Sequence, residues 1–397
     1  MAYPTAIGCG CLLGAGGASP LHAAEWALQP LLSWEADYDT NRALLPTDPS
    51  SEEAVLTADV QLTRSLENLQ LMLEPHVDLR RFSDSRWGPG DDRSLAGSFS
   101  WSGSRTQLSL KASIANQNTL TTELLETGFV NTNTRRQLET GSLELDTFRT
   151  EEHLFFMQVS YLGSKYSGPA DVELLLPGYR YESGAIGERF TISEHWTVSA
   201  SAFGDILHSD RAGGSSHEAG GQVEISYTRS ERYNFDLQVG ESRRVLSQAV
   251  GIDSGGNPIF DGTASLGTNA SATATRNFEL GSLSFNYNRS LVPYGNGFLV
   301  QRQSASATAR RSLTPFLDAD LTLMRIENND STVRLRLDRR FYDNVSAGLS
   351  WRLSESWTLR GDGSTSWAPP IGSLHTVHEW HTGLTMTWKP IASVMSR

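Results

Sequence analysis

The sequence predicts an all-β fold: a transmembrane antiparallel up-and-down β-barrel of about 18 strands. Apolar and polar residues alternate over segments of about 10 residues, and this pattern recurs from residue 28 to residue 388. The connections between these segments alternate between short and long. No stretch approaches 18 consecutive apolar residues, which excludes a transmembrane helix. The mean hydropathy of -0.34 agrees with a barrel, because every second residue of each strand would face water.

The alternation is clear near both ends of the chain. In the segment 28–39 the apolar positions are Leu32, Trp34, Ala36 and Tyr38, and the polar positions between them are Ser33, Glu35, Asp37 and Asp39. The weakest segments are 179–192 and 298–310, the second because Ala305, Ala307 and Ala309 offer little apolar surface. Unpaired backbone groups cost several kcal/mol each in lipid, so such strands must close on themselves. We count 18 strands, with 16 as the alternative, and either barrel is wide enough to hold water.

The connections predict the orientation of the barrel. Short polar turns, each followed at once by an aromatic residue, occur at 193–196, 230–233 and 354–357. The long connections are predicted at 40–53, 83–93, 116–136, 164–178, 208–216, 247–262, 291–297 and 368–375. Short turns on the periplasmic side and long extracellular loops are typical of outer-membrane barrels. The aromatic residues after the short turns would then lie in the periplasmic girdle.

The N-terminal segment 1–24 is predicted to be a secretory signal peptide. Residues 5–18 (TAIGCGCLLGAGGA) are apolar and small, and Ala23 and Ala24 precede the polar Glu25, although no Lys or Arg comes before the apolar run. Two alternatives are a lipoprotein signal acylated at Cys9 or Cys11 and a disordered leader. The mature barrel, 25–397, would contain no cysteine, as is common in chains that cross an oxidising periplasm.

One segment resembles a known family. Residues 119–139 read TLTTELLETGFVNTNTRRQLE, a loop of the form T-L-T-x-E-L-x-x-T-G followed by the pair Arg135 and Arg136. With the Ser-Glu-x-aromatic turns and a Tyr-Asp-x-Asn element at 38–41, this loop is similar to outer-membrane β-barrel proteins found beside exopolysaccharide and exosortase-type (PEP-CTERM) sorting systems. The resemblance implies a porin-like barrel that assists polysaccharide export, with export components as partners. The barrel itself predicts outer-membrane lipid and the outer-membrane assembly machinery as partners. The chain departs from the family where nine residues follow Trp388, because such barrels usually end on an aromatic residue.

Charged residues of both signs are predicted to face the lumen. The candidate pore-lining residues are the early carboxylates Glu35, Asp37, Asp39, Asp59, Glu74 and Asp78 and the late arginines Arg334, Arg336, Arg340, Arg352 and Arg360. One interpretation is a charged constriction that selects solutes by its field. The other is a solvated lumen in which the charges pair with each other.

Several function classes are excluded or disfavoured. The net charge of -12 and the absence of a long Lys/Arg run argue against nucleic-acid binding. No motif of a hydrolase, metalloprotease or phosphate-binding loop occurs, so no enzymatic activity and no cofactor are predicted. The residues His375, Glu379 and His381 would share one face of a strand with His378 opposite, but they span about 20 Å at strand rise, and no metal site is expected.

Three hypotheses for the role of the chain remain open. The first is an outer-membrane channel, passive or linked to exopolysaccharide export. The second is a non-conducting structural or surface-polymer-binding barrel, whose loops 116–136 and 247–262 plug the lumen or contact a polymer. The third is a water-soluble all-β protein such as a propeller or solenoid, against which the chain shows no repeat of constant length.

Overall fold

A computed structural model of the chain describes the residues from Glu25 to Ser396 with several gaps at loops. The described residues are 25–42, 44, 50–84, 90–119, 134–168, 176–210, 215–252, 258–293, 299–329, 340–368 and 376–396. The side chains of strand residues 246–252, 258–263, 329, 340 and 395–396 lie outside this description. The signal peptide predicted at 1–24 also lies outside the described residues and stays a prediction.

The described residues form one antiparallel sheet. Its strands are β1 (Glu25–Asp39), β2 (Ser51–Leu66), β3 (Leu69–Phe82), β4 (Asp92–Ser102), β5 (Thr106–Asn118), β6 (Arg135–Phe148), β7 (His153–Ser167), β8 (Tyr179–Thr191), β9 (Trp196–Ser209), β10 (Ser215–Thr228), β11 (Tyr233–Ile252), β12 (Pro258–Phe278), β13 (Gly281–Pro293), β14 (Leu299–Thr314), β15 (Leu317–Asn329), β16 (Arg340–Arg352), β17 (Trp357–Ala368), β18 (Val377–Trp388) and β19 (Ser393–Ser396). Each strand pairs with the next along the chain from β1 to β18. No helix of the described residues is long and apolar enough to cross a membrane.

The sheet closes between its first and last strands. Residues 32–39 of β1 pair with β18, for example Leu32 with Trp388. Residues 25–28 of β1 pair with β19, for example Glu25 with Ser396. Strands β18 and β19 therefore occupy one position in the barrel, and the closed barrel has 18 positions, as the alternation predicts. The residues after Trp388 complete the closure instead of trailing from it.

The two faces of the sheet differ as the alternation predicts. Large apolar side chains such as Trp34, Val223 and Leu349 stay about half exposed on the outer face. A soluble protein rarely exposes so continuous an apolar surface, whereas acyl chains would cover it. With a strand spacing of about 4.8 Å and a tilt of about 40°, such a barrel is roughly 36 Å across at the backbone, wide enough to hold water between its inner side chains.

The connections at the two ends of the barrel differ in length. At one end the strands are joined by turns of two to four residues, at 67–68, 103–105, 149–152, 192–195, 229–232, 279–280, 315–316 and 353–356. At the other end lie the longer connections, which identifies the first end as periplasmic. The connections differ from the prediction in several places: β11 and β12 extend through most of 247–262, β2 and β4 begin inside 40–53 and 83–93, and the connection between Asn329 and Arg340 was not predicted.

Two of the three Ser-Glu-x-aromatic turns, at 193–196 and 354–357, share one local structure. The Ser193 hydroxyl accepts hydrogen bonds from the backbone N–H groups of His195 (3.3 Å) and Trp196 (3.2 Å). The Ser354 hydroxyl does the same for Ser356 (3.3 Å) and Trp357 (3.2 Å). The serine thus satisfies donors that the tight turn leaves without a ladder partner, and the aromatic residue begins the next strand at the membrane interface.

Candidate functional site: the charged extracellular half of the lumen

Buried polar side chains concentrate near the extracellular ends of the strands, on the inner face of the barrel. Asp39, Glu53, Arg136 and Glu218 are each at most 4% exposed. In a wide, uniformly open cylinder such side chains would be wetted. Their burial shows that the lumen narrows at this end, so the extracellular half of the lumen is the candidate functional site.

Arg80 is the centre of a charged network on β2, β3 and β4. Its guanidinium contacts Glu53 (Nη1–Oε1 3.0 Å), Asp78 (Nη2–Oδ2 2.8 Å) and Asp92 (Nε–Oδ2 3.5 Å). All three carboxylates are almost fully buried. Charge-assisted hydrogen bonds of this kind are shorter and stronger than neutral ones, and a single cation therefore holds three strands together.

Two further basic side chains extend this network. Arg42 Nη1 lies 2.6 Å from Glu53 Oε2, and its guanidinium lies over the Phe82 ring. His76 hydrogen-bonds to Asp59 through Nδ1, and its Nε2 lies 3.3 Å from Asp78 Oδ1. We call Arg42, Glu53, His76, Asp78, Arg80 and Asp92 the Arg80 network.

Glycines on the inner face let charged side chains bridge strands that are not neighbours. Arg360 on β17 reaches across Gly348 on β16 to Asp320 on β15, with Nη1–Oδ1 and Nη2–Oδ2 distances of 2.6 and 3.1 Å. A Cβ atom at position 348 would collide with the Arg360 guanidinium. Strands β15 and β17 are separated by about 10 Å, because β16 lies between them. The Arg360 side chain can cross this distance because Gly348 has no side chain in its path.

A similar bridge crosses the seam of the barrel. His381 Nε2 lies 3.7 Å from Asp37 Oδ1 and 3.6 Å from Asp362 Oδ2. Asp37 and Asp362 lie on either side of Gly383, and a Cβ atom at that position would collide with Asp37. The seam between β1 and β18 is therefore joined by side chains as well as by backbone hydrogen bonds.

A second network lies on β10, β11, β12 and β14. The Arg244 guanidinium donates to Glu218 (3.0 Å), Asn269 (2.6 Å) and Gln301 (2.7 Å). Ser242 also hydrogen-bonds to Glu218. We call Glu218, Ser242, Arg244, Asn269 and Gln301 the Arg244 network. Its guanidinium lies over Gly267, where any side chain would collide with it.

The tip of the β13–β14 hairpin folds to the inside of the barrel wall. Pairing between β12 and β13 ends at Ala270 and Arg289, whereas β13 and β14 continue together to Pro293 and Leu299. Beyond that separation, Leu291 and Leu299 are buried in one cluster with Tyr166, Tyr179 and Leu207, which lie on the inner faces of β7, β8 and β9. The outer face of the hairpin tip therefore packs against the inner face of the wall, and Gln301 ties it to Arg244.

Two other groups fill the extracellular end. Leu44, in the β1–β2 connection, packs with Ile326, Tyr342 and Ala368 on β15, β16 and β17. The buried Arg136 of the Arg135–Arg136 pair donates from Nε to Ser164 (2.9 Å) and from Nη2 to Tyr179 (3.0 Å). The sequence indicated the arginine pair only through its resemblance, and it gave no sign of Leu44.

The predicted pore-lining residues are placed as follows. The inner face of the described strands carries Glu35, Asp37, Asp39, Asp59, Glu74, Asp78, Arg352 and Arg360. Arg334, Arg336 and the side chain of Arg340 lie outside the described residues. Ion pairs hold Asp78 and Arg360, and Asp59 hydrogen-bonds to His76. Arg352, by contrast, is exposed near the periplasmic end.

Several charged residues of the site were missing from the prediction. Glu53 and Asp92 were assigned to loops, and Glu218 and Arg244 lay beyond the alternating segments used to define strands. Asp320, the partner of Arg360, was not among the predicted pore-lining residues. The sequence did contain an indication of these residues: the alternation that places them on the inner face continues beyond the apolar part of each strand.

The His/Glu segment near the C-terminus does not form a described metal site. Glu379 and His381 lie on the inner face and His378 on the outer face, as predicted, while His375 lies outside the described residues. Within the described ranges no group of three His, Cys, Asp or Glu side chains is arranged to hold a metal ion.

At the rim, Arg81 donates to Asp91 (2.6 Å) and holds the pKa of that carboxyl below its usual range.

Comparisons with known proteins find similarity in fold alone. No family model matches the sequence, and no curated protein is similar to it. Among solved structures, Pseudomonas aeruginosa OpdQ is similar with 8% identity and a TM-score of 0.48, covering 92% of this chain and 98% of that one. Pseudomonas aeruginosa OprD (10%, TM-score 0.47) and Acinetobacter baumannii OccAB1 (10%, TM-score 0.48) each cover 92% of this chain and 96% of their own. These neighbours are outer-membrane porins.

At such low identity and TM-score the neighbours say nothing about what this chain binds or conducts. Its own architecture is the stronger observation: a closed antiparallel barrel with an apolar exterior, a polar interior, short turns at one end and long connections at the other. Only a closed barrel satisfies the backbone of strands in lipid, and this asymmetry is that of bacterial outer-membrane proteins. The chain is an outer-membrane β-barrel.

Proposed function

We propose that this barrel is a channel for small hydrophilic solutes, narrowed at its extracellular end. The observation that carries the proposal is the inner wall of 18 strands, whose face carries ion-paired side chains such as Glu53, Arg80 and Arg360 along with the apolar clusters of the mouth. A lumen of this width holds water. In the Arg80 network the arginines Arg42 and Arg80 keep 13% and 18% of their side-chain surface exposed, and they place fixed charge at the narrowed mouth.

Single-channel recording in planar bilayers tests this proposal. Refolded protein should give discrete conductance steps in KCl, and added solute should reduce the current through occupied channels. Heat-modifiable migration on a detergent gel confirms that the same preparation is folded. Protein that is folded by this criterion and inserts, yet gives no steps, contradicts the proposal and supports the non-conducting alternative.

The non-conducting alternative has one observation in its favour: the mouth is filled by the β13–β14 hairpin tip and by Leu44. The plug predicted for loop 116–136 lies mostly outside the described residues. The link to exopolysaccharide export, like the assembly-machinery and export partners, rests on the resemblance at 119–139. If the link holds, deletion of the gene should reduce surface polysaccharide without loss of outer-membrane integrity.

A further inference from the structure

The outer face of the barrel carries two parallel grooves on either side of β13. The first has Ala270, Ala272 and Ala274 of β12 as its floor. Register places Phe235, Leu237 and Val239 of β11 on one side of this floor and Phe285 and Tyr287 of β13 on the other. Because alanine is short and its neighbours are large, the groove runs along the strand direction into the membrane.

Phe285 and Tyr287 of β13 form a ridge, and the second groove lies on the other side of this ridge. Its floor is Ala305, Ala307 and Ala309 of β14, and its far wall is formed by Leu321 and Leu323 of β15. These are the alanines that made the strand signal weak in the sequence. Cavities line the periplasmic ends of both grooves, and the larger, of about 860 Å³, reaches from Tyr233 across Leu283 to Leu321.

Each groove ends at an exposed arginine at its periplasmic end. Arg276 follows Ala274 on β12, and Arg311 follows Ala309 on β14. The Arg276 guanidinium lies 5.2 Å from the Tyr233 ring centre and 4.7 Å from that of Phe278. Among the described residues neither arginine makes an ion pair. An arginine on the lipid-facing surface is tolerated only near the interface, where it meets headgroups.

The two arginines are close enough to share one anion. They lie two strands apart and two residues out of register, because Arg276 pairs with Leu283 and Arg311 pairs with Gly281, so their Cα atoms are roughly 12 Å apart. An arginine side chain reaches roughly 6 Å, so both guanidinium groups can reach one anion above β13. The ridge is lowest there, because Gly281 pairs directly with Arg311. Arg232 also lines the larger cavity, and Glu279 is the acidic residue of the adjacent turn.

We propose that this surface binds an anionic phospholipid of the periplasmic leaflet, with its phosphate between Arg276 and Arg311 and one acyl chain in each groove. The two grooves match two chains, and the arginines match one phosphate. A second copy of the barrel fits less well, because a two-fold contact would bring the same arginine-bearing patches together. The site lies outside the lumen and does not depend on conduction.

Native mass spectrometry of the folded barrel tests the site, with phosphatidylglycerol and phosphatidylcholine as probes. We expect one phosphatidylglycerol to be retained per chain, and the double variant Arg276→Gln/Arg311→Gln to retain it at least about tenfold more weakly. Arg64→Gln is the matched control, because Arg64 also lies against an aromatic ring, Trp26, near the periplasmic end but outside the grooves. Heat-modifiable migration confirms folding of each variant.

A second variant tests the acyl-chain sites without changing charge. Ala272→Trp/Ala307→Trp fills both grooves and should also abolish retention of phosphatidylglycerol. Equal retention of both lipids, or unchanged retention by the arginine double variant, overturns the proposal. A particle of two chains without lipid overturns it in favour of self-association through this face.

Discussion

Replacing Arg244 with alanine is expected to raise the single-channel conductance and to lower the stability of the barrel. Arg244 is the cation that compensates Glu218, whose side chain is 1% exposed, and it is also the group that holds Gln301 of the inward-folded hairpin. Removing one partner of a buried ion pair costs roughly 3–5 kcal/mol, because the other charge remains buried. Released from Arg244, the β13–β14 tip should leave the lumen more often. The measurements are conductance in planar bilayers and the temperature at which heat-modifiable migration is lost.

The double variant Glu218→Ala/Arg244→Ala separates the two effects. It removes both charges, so most of the lost stability should return, whereas the hairpin still lacks its hydrogen bond and the conductance should stay high. Gln301→Ala, which removes only the contact to the hairpin, should raise conductance with little loss of stability. Unchanged conductance in all three variants would show that the hairpin tip does not narrow the path.

The sequence predicted the architecture well because the alternation has a simple physical cause. A strand in lipid must be apolar on one face, and water in the lumen requires the other face to be polar. That requirement holds only within the membrane. Above it, β2 and β4 continue with polar residues on both faces, and Glu53 and Asp92 were therefore mistaken for loop residues.

Parity also predicts a face without predicting a partner. It placed Arg360 on the inner face correctly, but the pairing of Arg360 with Asp320 depends on the glycine between them at position 348. The alternation also could not predict the inward fold of the β13–β14 tip. Leu291 and Leu299 occupy positions that the alternation assigns to the outer face, yet both are buried inside the barrel. Contacts between segments that are distant in sequence, and not local pattern, decide both features.

Replacing Arg80 with glutamine is expected to make the channel distinctly more cation-selective. Glu53, Asp78 and Asp92 all contact Arg80, so the substitution leaves three buried carboxylates with one fewer cation in the narrowed part of the lumen. Their field should attract cations and repel anions, which shifts the reversal potential in a KCl gradient towards that of K⁺. Stability should also fall, because uncompensated carboxylates in a narrow space repel each other.

Ionic strength and a matched variant decide whether the effect comes from this network. The Debye length falls from about 10 Å at 0.1 M salt to about 3 Å at 1 M, so a shift caused by solute-accessible charge should shrink as salt is raised. Arg352→Gln removes the same charge from the inner face near the periplasmic end, where the side chain is exposed. It should change selectivity much less, because the lumen is wider there and the nearby charge is screened by water. If both variants shift the reversal potential equally, selectivity reflects the total charge of the lumen and the Arg80 network has no special role.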